Sequence, residues 1–142
     1  MKTLASTLEL VRTTRPAARS ARGTLVEIRV RTVPWAAVEH LSTRLGVGPA
    51  VLLELIGLAD RTAVRRQKEG FLKPDEADRL LRVGRVFEEA VRVFGSETKA
   101  AKWLNAPSVV FDRSTPLSLL DCDAGAQVVS EELIRIDFGD FA

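Results

Sequence analysis

Residues 93–142 read VFGSETKAAKWLNAPSVVFDRSTPLSLLDCDAGAQVVSEELIRIDFGDFA. Four signals stand there in order. Phe94-Gly95 comes first, then Ala100-x-x-Trp103-Leu104-x-x-Pro107, then Thr115-Pro116-Leu117-x-Leu119-Leu120. Last come Gly125-Ala126 and an amphipathic stretch ending Ile136-x-Phe138-Gly139. Gly95 is placed to end one helix and Ser96 to cap the next, ETKAAKWLN. Pro107 breaks that helix, and SVVFDRS reads as a loop or short extended piece. Thr115 can cap PLSLLD, with Pro116 presetting φ at the first helical position. The apolar stripe of Val128, Val129, Leu133, Ile134 and Ile136 predicts a helix over GAQVVSEELIRI. Trp103 continues the stripe of Phe94, Ala100 and Leu104, so we read it as a core anchor.

Upstream, KPDEADRLLRVGRVFEEAVRVFG (73–95) predicts one long helix. Pro74 and three acids fill its first turn. Leu80, Leu81, Val83, Val86, Phe87, Ala90, Val91 and Phe94 give it more than one apolar face. Pro34 is placed to open a helix with Trp35, Val38, Leu41 and Leu45 on one stripe, ended by Gly46. Pro49 would start AVLLELIGL, apolar almost all round and therefore expected to be buried. Asp60 is expected to cap a short helix that Gly70 ends. TLVEIRVRTV (24–33) alternates as a strand does but also fits a helical face, and both readings stay open. Residues 1–23 form a polar, basic stretch with one acid, expected to be a flexible arm.

Composition limits the function. No apolar run is long enough to cross a bilayer. One cysteine, Cys122, leaves no internal disulfide and fits a reducing cytoplasm. Cys122 reads as a small residue at a helix end and His40 as a semi-exposed helix residue. One histidine and one cysteine are few ligands for a transition metal. The chain shows neither a Gly-rich phosphate loop nor a nucleophile–base pair at motif spacing, so no catalysis and no cofactor are expected. Asp137-Phe138-Gly139 resembles a kinase tripeptide, but the other kinase motifs are missing.

Charge is uneven. Residues 1–70 carry 12 Lys/Arg against 6 Asp/Glu, and residues 71–142 carry 9 against 13. A basic front and an acidic back point to two different partners. Arg61, Arg65 and Lys68 share one face of the short helix, with Thr62 and Arg66 one step round. That set fits either a recognition helix in a DNA groove or a solvated basic face. At the other end, Phe138 and Phe141 beside Asp137 and Asp140 fit two roles. They could enter a partner's pocket or fold back on their own core.

The ordered C-terminal signals resemble the toxin-binding domain of the Xre/MbcA/ParS antitoxin family. Residues 61–95 are similar to that family's helix-turn-helix end and linking helix, and the likeness covers roughly residues 34–142. The resemblance implies a mainly α fold: a helix-turn-helix bundle (24–72) and a linking helix with a small helical toxin-binding domain (73–142). It implies a cytoplasmic antitoxin of a type II toxin–antitoxin system that inhibits a RES-type, NAD-depleting toxin without catalysis of its own. It further implies autoregulation through operator DNA, by a homodimer within a hetero-oligomeric complex. Arg61, Thr62, Arg65, Arg66 and Lys68 would then contact DNA. Arg135, Ile136, Asp137, Phe138, Gly139, Asp140, Phe141 and Ala142 would contact the toxin. A stand-alone helix-turn-helix regulator whose back half only dimerises is the alternative.

Overall fold

The long helix is the frame on which the other elements are hung. In a computed structural model that describes residues 33–139, the elements are β1 (Val33–Pro34), α1 (Ala36–Leu45), α2 (Pro49–Leu55), α3 (Asp60–Glu69), β2 (Phe71–Leu72), α4 (Pro74–Phe94), α5 (Glu97–Asn105) and α6 (Asp123–Asp137). Two 3-10 turns, Val109–Phe111 and Leu117–Asp121, lie between α5 and α6. The fold is mainly α, as expected. The arm 1–23, residues 24–32 of the ambiguous segment, and Asp140, Phe141 and Ala142 lie outside the described residues.

Local chemistry explains most boundaries. Gly46, Gly70 and Gly95 end α1, α3 and α4 in the left-handed conformation. Pro49 and Pro74 open α2 and α4. The Ser96 hydroxyl accepts the Lys99 N–H at 3.0 Å and caps α5. The Thr115 hydroxyl accepts the Ser118 N–H at 3.2 Å, so threonine caps the second 3-10 turn.

Three local expectations are corrected. Pro34 does not open a helix: β1 pairs antiparallel with β2, Val33 opposite Leu72 and Pro34 opposite Phe71. The Trp35 N–H then donates to Gly70 O at 2.9 Å, and α1 starts one residue later. The chain emerging from α3 exposes backbone that this extended pair satisfies. Asp60 is the first residue of α3 and not its cap; Ala59 precedes it and no side-chain cap bond forms. Its carboxylate still lies where the helix dipole favours it. Finally, α2 is not buried all round: Leu52 is buried, whereas Val51 is 45% exposed.

α4 buries Leu80, Val83, Val86, Phe87 and Ala90, and α1, α5 and α6 all pack on it. Arg44 at the end of α1 lies 5.0 Å over the Phe87 ring and pairs with Glu97 at the start of α5. The Asn105 amide at the other end of α5 donates to Leu45 O at 2.9 Å. α6 runs parallel to the second half of α4. The register is marked by Arg82 to Asp123 at 2.7 Å, Ser130 to Glu89 at 2.6 Å and Arg92 to Asp137 at 3.0 Å. One apolar cluster runs from Val33 to Leu133. Leu72 and Ala77, on either side of the expected 72/73 boundary, both belong to it.

α4 also braces the front half. Arg66, expected on the DNA-facing side of α3, is turned inward and is 3% exposed. Its Nε donates to the two Glu76 carboxylate oxygens at 3.1 and 2.9 Å, and Nη1 reaches Glu69 at 3.2 Å. Glu76 in turn accepts the Lys73 N–H at 2.8 Å, capping α4. A buried guanidinium needs such a partner. Its burial also places Arg66 on the same inner face as buried Ala63. The Glu76 hydrogen bond holds the Arg66 guanidinium above its usual value despite burial. Burial alone would push the Glu76 carboxyl up, but hydrogen bonds from Arg66 and from the Lys73 N–H outweigh it and hold the carboxyl below the ordinary glutamate range.

Two outcomes follow for stability. A Cβ at Gly125 would lie 1.8 Å from Leu119 O, so Gly125→Ala must push α6 off the second 3-10 turn. It is expected to cost about 3 kcal/mol, read as a lowered melting temperature. Because the Glu76 carboxyl is depressed in the fold, its contribution is complete above the unfolded glutamate pKa and fades as pH falls through the folded value. Glu76→Gln should therefore lower the melting temperature at pH 7. It should also shrink the loss of stability seen when the wild-type protein is titrated to acid pH.

Candidate functional site

α3 presents the front surface. Arg61, Arg65 and Lys68 are exposed, Thr62 is half-buried, and Val64 and Gln67 are exposed between the cations. Positions 61, 64, 65 and 68 make one outer stripe, opposite the inner face of Ala63 and Arg66. The structure thus keeps three of the four expected cations together and removes Arg66 from contact with solvent. Gln67 was not singled out by sequence; its exposure depends on how α3 is rolled, which the charge pattern does not report.

The turn before α3 is held from α4. Gly57 has φ +70, a conformation that suits a residue without Cβ. The Arg79 guanidinium donates to Ile56 O at 3.1 Å and satisfies the open end of α2. Arg66 with Glu76, and Arg79 with Ile56, are two fastenings of the helix-turn-helix to the first turns of α4. Neither Glu76 nor Arg79 was singled out by sequence. The one available signal was glutamate at the third position of a helix, where it caps.

The back surface is the end of α6 and the loop beside α5. Arg135 pairs with Glu132 at 2.9 Å and Asp137 with Arg92 at 3.0 Å. The Arg92–Asp137 pair is solvated, and such pairs hold weakly. Ile136 is half-buried. Phe138 follows the last helical residue and is 82% exposed; it does not fold back on the core. Gly139 has φ +71 and donates its N–H to Ile136 O at 3.0 Å. Asp140, Phe141 and Ala142 of the expected toxin-binding tail lie outside the described residues. Trp103 is a core anchor, 5.5 Å from the Phe94 ring and 6.4 Å from the Phe111 ring.

Between these surfaces runs a groove of about 930 Å³, lined by α1, α4 and α6, with Leu81, Glu88, Ser130 and Ile134 among its walls. One Glu88 carboxylate oxygen is buried there without a hydrogen-bond partner. Burial pushes that carboxyl up, against the nearby Arg44 charge. Cys122 is exposed and its sulfur accepts the Gly125 N–H at 3.4 Å, the capping role of a small residue at a helix start. His40 is half-buried on α1. Among the described residues no three His, Cys, Asp or Glu side chains converge as metal ligands. No described helix is long and apolar enough to cross a membrane.

Known proteins match both halves of the chain. Residues 24–85 match a family model described as the antitoxin Xre-like helix-turn-helix domain. Residues 89–139 match the antitoxin Xre/MbcA/ParS C-terminal toxin-binding domain. Antitoxin Xre of Yersinia enterocolitica is 33% identical over 107 residues, covering 74% of this chain and 72% of its own. Antitoxin Xre of Photorhabdus laumondii is 32% identical over 109 residues, covering 75% and 74%. Antitoxin Xre of Pseudomonas putida is 36% identical over 75 residues, covering 53% and 47%. With a helix-turn-helix braced on α4 and a second matched region built on the same helix, the chain belongs to the Xre/MbcA/ParS-type antitoxins.

Proposed function

We propose that this antitoxin binds and inhibits a cognate RES-type, NAD-depleting toxin with its back surface, and represses its own operon with α3. The observation that carries the reading is the pairing of an exposed cationic stripe on α3 with an exposed aromatic end of α6, in two regions that match a helix-turn-helix and a toxin-binding domain. The protein acts in the cytoplasm by occupancy and not by catalysis. It binds operator DNA as a homodimer, because one short recognition helix reads few base pairs and two-fold operators match two-fold proteins. Co-expression with the cognate toxin is the direct test: the pair should co-purify and the toxin should lose its growth inhibition. If the two do not associate, the chain is a stand-alone regulator.

Arg61, Arg65 and Lys68 are the DNA-contacting cations, with Thr62 and Gln67 beside them. Replacing the three cations by alanine should weaken operator binding. The log–log salt slope should fall by roughly one unit per lost phosphate contact, with toxin capture unchanged. An unchanged slope removes α3 from the interface.

Residues 135–142 are the inhibitory segment. Phe138 and Phe141 offer flat apolar surface, and Asp137 and Asp140 offer negative charge. A pocket that binds NAD accommodates flat rings and a pyrophosphate. The segment therefore suits occlusion of the toxin's substrate entrance. Deleting residues 138–142, which spares the Arg92–Asp137 pair, should restore toxin activity in the purified complex more than it weakens the complex. Equal inhibition by the truncated chain assigns inhibition elsewhere.

A further inference from the structure

Among the described residues the two most exposed large hydrophobic side chains are Val109, at 87%, and Phe138, at 82%. Phe138 belongs to the tail discussed above. Val109 does not, and neither does its neighbour Val110, 54% exposed. Both lie on the first 3-10 turn.

The loop that carries them is built as a fixed object. Ser108 N–H donates to Ser114 O at 3.1 Å, and Arg113 N–H closes back on Ser108 O at 2.8 Å. Phe111, Asp112 and Ser114 add three further backbone bonds inside the loop. Asp112 and Arg113 both adopt left-handed backbone, with φ 52 and 67. That conformation is unfavourable for residues other than glycine, so the surrounding bonds must impose it. Phe111 is the anchor: it is 7% exposed and meets Trp103 edge-on. With Phe111 inward, the turn directs Val109 and Val110 outward. Valine has few rotamers to lose, so this surface is already ordered for contact.

The loop and the tail are each tied to the last turn of α4. Phe111 touches Trp103, and Trp103 touches Phe94, the last residue of α4. Two residues earlier Arg92 holds Asp137, and Phe138 follows. Val109, Val110 and Phe138 all fall within the region matched as toxin-binding, residues 89–139.

We propose that Val109 and Val110 form a preformed apolar knob that seats in an apolar pocket of the toxin, beside the place taken by the tail. The toxin is then held at two points: the knob supplies affinity and the tail supplies occlusion. This rests on the antitoxin reading above.

The test uses full-length antitoxin and its cognate toxin, with affinity measured for wild type and for Val109→Asp/Val110→Asp. The double variant should lose roughly 30-fold in toxin affinity, as buried interface anchors do, with melting temperature and operator binding unchanged. A milder pair, Val109→Thr/Val110→Thr, keeps shape and fold and should show a smaller loss in the same direction. Val109→Ile/Val110→Ile should bind within a few-fold of wild type. If wild type fails to bind the toxin, the antitoxin reading falls and this inference with it. If wild type binds and the Asp and Thr pairs bind equally well, only the knob is overturned. A change in the antitoxin's own oligomeric state with toxin affinity retained also overturns it, because the valines then pack a second copy.

Discussion

A 21-residue helix with Leu80, Val83, Val86, Phe87 and Ala90 all buried cannot be covered by one neighbour. Burying each large side chain is worth about 1.5–3 kcal/mol relative to leaving it in water. α1, α5 and α6 therefore have to converge on α4, and α1 and α5 are joined to it at Phe87. There Arg44 supplies a cation over the ring and a partner for Glu97. Three helices are tied at one place by an aromatic ring and one ion pair. Everything that positions a surface follows from this: α5 is set by Glu97 and Asn105, the loop after it by Trp103, and α6 by its parallel run along α4.

Element boundaries were legible because the chain announces them with residues whose backbone or capping chemistry is particular. Pro74 and Gly95 bracket α4 where read, and Ser96 and Thr115 cap where read. What was not legible required a partner distant in sequence. Arg66 looks like one more cation on a basic helix. Only the fold shows that Glu76, across a turn and a helix start, takes it inside. Pro34 looks like a helix opener until β2 is seen to need an extended partner. Gly125 read as part of a motif without a reason; the reason is the backbone of Leu119, which leaves no room for a Cβ. The loop at 108–114 was hidden for a similar cause. Asp112 and Arg113 adopt left-handed backbone without the glycine that normally signals it.

The candidate surfaces divide along the same line. The exposed cations of α3 were readable from i, i+4 spacing, since a basic outer face needs no partner to be recognised. Phe138 was readable as an aromatic set beside acidic residues. Val109 and Val110 were not, because two valines in a loop are compositionally ordinary. Their outward position comes from Phe111 turning in toward Trp103, a contact between elements that no local pattern encodes.

The single core bears on how the two partners influence each other. Glu76 and Arg92 sit 16 residues apart on α4, about 24 Å along the axis at 1.5 Å per residue. Under the function proposed above, an operator on α3 and a toxin at the far end would occupy separate surfaces and would not compete for contacts. They are still linked. α1, α4 and α6 share one apolar cluster, so loss of either end removes the packing of the other. A ligand that binds only the folded chain raises the folded population by mass action. In a protein with two cores that protection would stop at the linker. With one shared core it would extend to both surfaces, so under the proposed function each partner would stabilise the form that the other requires, with no second conformation of α4 needed.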